Sequence, residues 1–142
     1  MEDSLLKPRI LIVEDNPDDG ELLMRQIKKA QLAEQVKVIN DGRAAMEFLA
    51  DSLSKHLVAM FLDLKLPSMS GLDLLAQVRS YEHVRHLPVI VMTSSNSPDD
   101  LRKCRELGVL SYVQKPVTFT AFTKAIADTF HRTDAQGLKK AE

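Results

Sequence analysis

Residues 10–19 read ILIVEDNPDD, a short apolar run followed by a polar segment that contains four acids. Unbroken Ile, Leu and Val are typical of a strand buried on both faces, as in a parallel sheet flanked by helices. Asn16 can cap a helix at this point, and Pro17 suits the first helical turn. Asp18 and Asp19 then complement the helix dipole. This stretch therefore predicts a strand that leads directly into a helix.

The same alternation of a short apolar run and an amphipathic segment recurs along the chain. Lys37 interrupts the second run, which indicates an edge strand. A repeated strand and helix unit predicts an α/β fold, in which a doubly wound parallel sheet of five strands is joined by right-handed crossovers. The predicted strands are residues 10–14, 36–39, 59–63, 89–93 and 111–114.

The composition is that of one ordinary soluble domain. The chain has 142 residues and a formal net charge of −1, which gives no global attraction to nucleic acid or to anionic membranes. The single cysteine, Cys104, excludes an internal disulfide framework, and the opening MEDSLLKPRI lacks the features of a secretory signal. No apolar run approaches the roughly 20 residues of a membrane span. We therefore expect a cytoplasmic protein that binds neither nucleic acid nor membrane.

Acidic, hydroxyl and basic side chains follow the predicted strands at their carboxyl ends, where such sheets bind ligands. Glu14 and Asp15 follow the first strand, Asp63 ends the third, Thr93 ends the fourth and Lys115 follows the fifth. Carboxylates within ~4 Å of one another repel by about 4 kcal/mol per pair at an effective dielectric near 20, so this cluster favours a bound cation. Oxygen ligands without paired His or Cys predict Mg²⁺.

These residues supply the parts of a phosphoryl-transfer site. A carboxylate beside Mg²⁺ can act as a nucleophile, while the metal and a lysine neutralise the phosphoryl oxygens and a hydroxyl binds one of them. Asp63, Lys115 and Thr93 fit these roles. By contrast, His83 and His86 have no partners for a zinc site, and Cys104 is interpreted as a small apolar contact.

The sequence resembles the receiver domains of two-component response regulators, which are CheY-like, flavodoxin-like proteins with strand order 2-1-3-4-5. Four ordered motifs carry the resemblance, which extends over residues 9–131. By this resemblance, residues 1–8 form an N-terminal extension and residues 132–142 form a tail without an output domain. The motifs are VEDN at residues 13–16, DLKLPSMSG at 63–71, VMTSS at 91–95 and YVQKP at 112–116.

The resemblance implies a role for each site residue. Asp63 accepts the phosphoryl group, and Asp15 and Asp63 bind Mg²⁺ directly. Glu14 acts mainly through water, and the backbone carbonyl of Lys65 completes the protein ligands. Lys115 holds the phosphoryl oxyanion.

The resemblance also identifies a switch. Thr93 moves toward the phosphoryl group and the Tyr112 ring turns inward behind it. The Lys115–Pro116 peptide bond is expected to be cis, an isomer that costs about 0.5 to 1 kcal/mol for an X-Pro bond. The small Ser94 should leave phosphate access open. Lys65 and Ser95 occupy positions that vary in the family, so the lifetime of the phosphoryl group is not predicted.

The implied function is that of a stand-alone response regulator that a sensor histidine kinase phosphorylates. It is a phosphoacceptor switch rather than an enzyme acting on other molecules. Because the chain resembles the small regulators paired with bacterial and cyanobacterial phytochromes, a bacteriophytochrome is a candidate kinase. A histidine phosphotransfer protein is a further candidate partner, and a homodimer is expected.

Four other classes fit less well. A flavodoxin-like cofactor binder needs backbone donors after the first strand, where EDNPDD would repel a phosphate. A Rossmann dehydrogenase needs a glycine-rich turn there, and the sequence has none. An aspartyl-phosphate phosphatase would normally carry an acid where Lys65 stands. The intact set of site residues disfavours a receiver that has lost phosphorylation.

Overall fold

The structure, a computed structural model, describes residues 8–29 and 36–135. Its sheet has five parallel strands in the order β2-β1-β3-β4-β5, which confirms the predicted fold class and strand order. The strands are β1 (Ile10–Val13), β2 (Val36–Ile39), β3 (Ala59–Leu62), β4 (Val89–Thr93) and β5 (Ser111–Gln114). Each lies within one residue of its predicted bounds.

Helices alternate with the strands. They are α1 (Pro17–Lys29), α2 (Gly42–Ala50), α3 (Gly71–Val78), α4 (Pro98–Glu106) and α5 (Phe119–Ala135), with a short 3-10 helix at Ser52–His56. The last helix was predicted to end near His131, but it continues to Ala135, so the predicted tail of residues 132–142 begins inside it. The predicted extension of residues 1–8 lies outside the described residues except at Pro8.

Polar side chains begin the helices as the sequence suggests. Asn16 Oδ1 accepts hydrogen bonds from the backbone N–H groups of Asp18 and Asp19, as its predicted capping role requires. Ser70 and Ser97 accept in the same way at the starts of α3 and α4. These caps satisfy N–H groups that have no partner inside the helix, and so they fix where each helix leaves the sheet edge.

The two faces of the sheet bury separate hydrophobic clusters. Leu11 and Val13 point into one cluster, which α2, α3 and α4 cover. Ile10 and Ile12 point into the other, which α1 and α5 cover. β1, β3 and β4 are therefore buried along their whole lengths, whereas Lys37 and Val38 in the edge strand β2 are exposed.

The structure also bears on the predictions for Cys104 and for a membrane span. Cys104 is buried in the cluster beneath α4, where burial raises the pKa of its thiol to about 11. This agrees with its interpretation as an apolar contact.

Among the helices that the structure describes, none combines the length and the apolar character needed to cross a membrane.

Candidate functional site

Three acids meet at the carboxyl edge of the sheet because their strands are neighbours. Val13 and Leu62 are paired in register, so Glu14 and Asp63 follow at the same level. The backbone N–H of Asp63 donates to the Val13 carbonyl at 3.0 Å. Glu14 and Asp63 are 3% and 5% exposed, whereas Asp15 is open to solvent. Each of the three acids offers an oxygen within 4.8 Å of the others.

Lys115 lies inside this cluster. Its Nζ is 2.8 Å from Glu14 Oε1, 2.8 Å from Asp63 Oδ2 and 2.9 Å from Asp19 Oδ2. Its side chain is only 14% exposed, so these carboxylates replace most of the water around the ammonium. The sequence analysis expects a bound metal ion to relieve the repulsion between these carboxylates. Lys115 already relieves part of that repulsion.

Burial and hydrogen bonding shift the pKa values of Lys115 and Glu14. Burial alone would lower the pKa of Lys115, but hydrogen bonds to Asp19, Asp63 and Glu14 raise it above the usual lysine value. Burial raises the pKa of Glu14 to about 7, against the opposing effects of Lys115 and of the backbone N–H of Asn16. The ammonium thus offsets only part of the cost of ionising the buried Glu14.

Asp19 is the member of this cluster that sequence reasoning missed. It was interpreted as an acid that merely favours the start of α1, but its carboxylate also reaches Lys115. The available signal was its place in the first turn of a helix that starts directly after Glu14 and Asp15. That turn must lie at the same sheet edge as the two acids.

The loop after β3 holds Asp63 tightly. Asp63 Oδ1 accepts a hydrogen bond from the backbone N–H of Lys65 at 3.1 Å, and the Gly71 N–H donates to the Leu64 carbonyl at 2.8 Å. A Cβ on Gly71 would lie 2.4 Å from the Asp63 carbonyl oxygen. A side chain at position 71 cannot fit without moving the backbone of Asp63.

The predicted switch residues lie on the next two strands. Thr93 is fully buried at the end of β4, and its Oγ1 accepts a hydrogen bond from the Ser95 N–H. The half-buried Tyr112 donates its hydroxyl to the Ser95 carbonyl at 3.0 Å. The backbone N–H of Lys115 donates to the Thr93 carbonyl. The Lys115–Pro116 peptide bond is cis, as the sequence analysis expected.

Other candidate residues lie away from this cluster. His83 and His86 are exposed, and His83 Nε2 is 2.9 Å from the Leu49 carbonyl oxygen. Among the described residues, no group of metal-ligand side chains includes either histidine. Ser94 is exposed, and its small side chain follows Thr93 directly.

A comparison with protein families identifies the family of this chain. The model of the response regulator receiver domain matches residues 10–127, most of the chain. This chain is a response regulator receiver domain. The matched residues include Glu14, Asp15, Asp63 and Lys115, which meet at this edge of the sheet.

Related receiver domains include two described as bacteriophytochrome response regulators. The structure of AtBRR is 44% identical, covers 88% of this chain and 93% of its own, and has a TM-score of 0.71. The structure of RtBRR is 39% identical, covers 96% of this chain and 81% of its own, and has a TM-score of 0.76.

A third relative is response regulator Rcp1 from Synechocystis. It is 33% identical over 110 residues, which are 75% of each chain. Over the longer structural alignment, the Mn²⁺-bound form of Rcp1 is 26% identical, covers 94% of this receiver domain and 97% of its own chain, and has a TM-score of 0.72. This relative therefore binds a divalent cation within the same fold.

Proposed function

We propose that this receiver domain is a phosphorylation-dependent switch in which Asp63 accepts a phosphoryl group from a sensor histidine kinase. One observation carries the proposal: Asp63 contacts the Lys115 ammonium at 2.8 Å while its carboxylate lies within 4.8 Å of two further acids. A buried carboxylate between a fixed cation and oxygen atoms that could hold a second cation supports Asp63 as the nucleophile.

The acids fit Mg²⁺ by their chemistry. They offer oxygen atoms alone, and Asp15 remains exposed, which leaves a route for a hydrated ion. We assign Asp15, Asp63 and the Lys65 backbone carbonyl as direct ligands and Glu14 as a ligand through water. When bound, the ion would neutralise phosphoryl oxygens and orient the phosphoryl donor. The Mn²⁺-bound form of Rcp1 supports this choice of cation.

The protein groups divide the chemistry among them. A carboxylate oxygen of Asp63 attacks phosphorus as the bond from phosphorus to the donor histidine breaks, and the imidazole leaves with that electron pair. Lys115 donates a hydrogen bond to one phosphoryl oxygen, and the Thr93 hydroxyl donates to another. Hydrolysis of the acyl phosphate restores the carboxylate, so the domain promotes reactions of its own Asp63 and does not act as an enzyme on other molecules.

The switch links this chemistry to the surface through the loop after β4. Thr93 and Tyr112 both hydrogen-bond to Ser95, one through its N–H and the other through its carbonyl. A movement of Thr93 toward the phosphoryl group would therefore displace the residue that holds the Tyr112 hydroxyl. The consequence is a changed binding surface at the start of α4.

The relatives support one of the proposed partners. A bacteriophytochrome is the sensor kinase that the similarity to AtBRR and RtBRR favours. A histidine phosphotransfer protein could exchange phosphate with the same aspartate, and a homodimer in the cytoplasm completes the proposal. The receiver domain is assigned to residues 9–131, and α5 extends beyond this assignment to Ala135.

Acetyl phosphate provides a direct test, because it phosphorylates aspartate without a kinase. Incubation with acetyl phosphate and Mg²⁺ should add one phosphoryl group to the intact mass, and chelation of the metal should prevent the addition. Asp63→Asn should abolish it, whereas Asp73→Asn, which changes an exposed acid of α3, should leave it unchanged. An equal mass gain in the Asp63→Asn protein would contradict the proposal.

A further inference from the structure

Lys115 is bound from two sides. Glu14 and Asp63 approach its ammonium from the ends of the strands, and Asp19 approaches from the first turn of α1. An ammonium has three hydrogens to donate, and these three carboxylates can accept all of them. A phosphoryl oxygen can therefore gain a hydrogen bond from Lys115 only by displacing a carboxylate.

Phosphorylation determines which carboxylate yields. Asp63 becomes an acyl phosphate, so the oxygen that Lys115 contacts there loses its full negative charge. Asp19 is not a ligand assigned to the metal, and nothing in the phosphoryl transfer consumes its charge. Its side chain is 38% exposed, against 1% for Glu14 and 7% for Asp63, so its charge is kept at little desolvation cost. The Asp19 carboxylate can therefore keep its hydrogen bond to Lys115 when Asp63 is phosphorylated.

We propose that Asp19 is a positioning residue that holds the Lys115 ammonium toward α1 and limits the share of its positive charge that reaches the phosphoryl group. This inference rests on the proposed function of Asp63 as the phosphoacceptor. Asp19 also adds a further carboxylate to the three acids Glu14, Asp15 and Asp63. The site therefore repels an anionic phosphoryl donor more strongly than the three assigned acids alone would.

The charge of the donor separates this role from a structural one. Acetyl phosphate is a dianion at neutral pH, and phosphoramidate carries one negative charge fewer. Removal of the Asp19 charge should accelerate phosphorylation by both donors and favour the dianion more. A general disturbance of the fold would alter both rates by the same factor.

Asp18 supplies a matched control. It is exposed in the same helical turn, and among the described residues its carboxylate takes part in no ion pair. Asp18→Asn and Asp19→Asn therefore remove the same charge from the start of α1, with the same loss of dipole stabilisation. Asp19→Glu provides a second variant, because it keeps both the charge and the hydrogen-bond acceptor.

The experiment measures initial phosphorylation rates at saturating Mg²⁺. With acetyl phosphate, Asp19→Asn should be faster than the wild type by about threefold or more, with a smaller gain for phosphoramidate and a decline of both gains at high salt. Asp18→Asn and Asp19→Glu should stay close to the wild type.

Two results would overturn the inference. One is an Asp19→Asn protein whose phosphorylation rate equals that of Asp18→Asn, and the other is an equal change in rate with both donors. In either case the wild type is still phosphorylated, so the proposed function of Asp63 stands. A wild-type protein that accepts phosphate from neither donor would overturn the proposed function, and this inference with it.

Discussion

Lys115 Nζ lies 2.8 Å from Asp63 Oδ2, so the cation of the site and the proposed nucleophile are in contact before any phosphoryl donor binds. The same ammonium contacts Glu14, and both carboxylates are almost fully buried. The domain thus carries an internal counter-ion for acids that would otherwise destabilise the fold. Among the described residues, Lys115 forms no ion pair with Asp15, which agrees with the proposed role of Asp15 as a metal ligand.

Removal of Lys115 should therefore destabilise the metal-free protein. Lys115→Met keeps the length of the side chain but leaves Glu14 and Asp63 without their cation. Loss of one partner from a buried ion pair costs about 3 kcal/mol, and protonation of Glu14 would reduce that cost. We expect a lower free energy of unfolding in urea at pH 8 for Lys115→Met. The exposed Lys124, changed to Met, should have an effect within about 0.5 kcal/mol. Equal stability of Lys115→Met and wild type would contradict this account.

Magnesium should stabilise the domain because it binds the folded state and not the unfolded chain. A ligand that binds the folded state alone at 100 times its Kd adds about 2.7 kcal/mol to the free energy of unfolding. We expect saturating Mg²⁺ to raise the thermal midpoint of the wild type, with a much smaller rise for Asp15→Asn and an unaltered rise for Asp18→Asn. Calorimetry with and without Mg²⁺ measures these shifts. A midpoint that does not respond to Mg²⁺ would count against the assigned ligands.

Glu14 should make the metal-free protein less stable as the pH rises. Its pKa in the folded protein is about 7, against an ordinary value of 4.5, so between these values the folded state holds the proton more firmly than the unfolded state does. The folded state therefore loses stability as the pH increases from about 4.5 to 7, by up to about 3 kcal/mol. Lys115 has a raised pKa, and its contribution is complete throughout this range.

The pH effect is measured as the free energy of unfolding from pH 5 to pH 8 in the presence of a chelator. Glu14→Gln removes the titrating group and should flatten the decline. Hydrogen bonds from the Ala44 N–H and the Ser68 hydroxyl lower the pKa of Asp41, which caps α2. Its contribution to the free energy of unfolding is lost only as the pH falls below the ordinary aspartate pKa of 3.8, outside this pH range. An identical pH dependence in Glu14→Gln would show that another group is responsible.

Two glycines should respond oppositely to alanine. Gly71→Ala would bring its Cβ to 2.4 Å from the Asp63 carbonyl oxygen, and we expect a loss of about 1–3 kcal/mol together with slower phosphorylation. Gly20→Ala is the control, because the nearest atom to the added Cβ would be 3.9 Å away. Alanine is more stable than glycine in a helix interior by about 0.5–1 kcal/mol, so this variant should gain stability. Urea unfolding compares the two. A neutral Gly71→Ala would mean that the loop after Asp63 is less tightly packed than the structure indicates.

The sequence predicts the strands well because each is a run of apolar residues that must be covered on both faces. It also predicts where Glu14, Asp15 and Asp63 lie, since parallel strands bring their carboxyl ends to one edge. The end of α5 is less predictable, because the sequence after His131 remains polar and compatible with either a helix or a tail. The observed helix continues to Ala135.

The contacts that the sequence does not predict join distant parts of the chain. Asp19 and Lys115 are 96 residues apart, and an acid in a first helical turn has the same local pattern whether it faces a lysine or water. Arg79 is a similar case. Its guanidinium donates to the backbone carbonyls of Arg85, Leu87, Leu107 and Gly108, a role set by how the loops that precede β4 and β5 pack together.

The most direct measurement locates the phosphoryl group itself. The wild type, phosphorylated by acetyl phosphate with Mg²⁺, is reduced with borohydride to convert the acyl phosphate into a stable alcohol, and the position is read by tandem mass spectrometry. The account predicts that the reduced residue is Asp63 alone. Reduction at Asp15, Asp19 or Glu14 in place of Asp63 would contradict it.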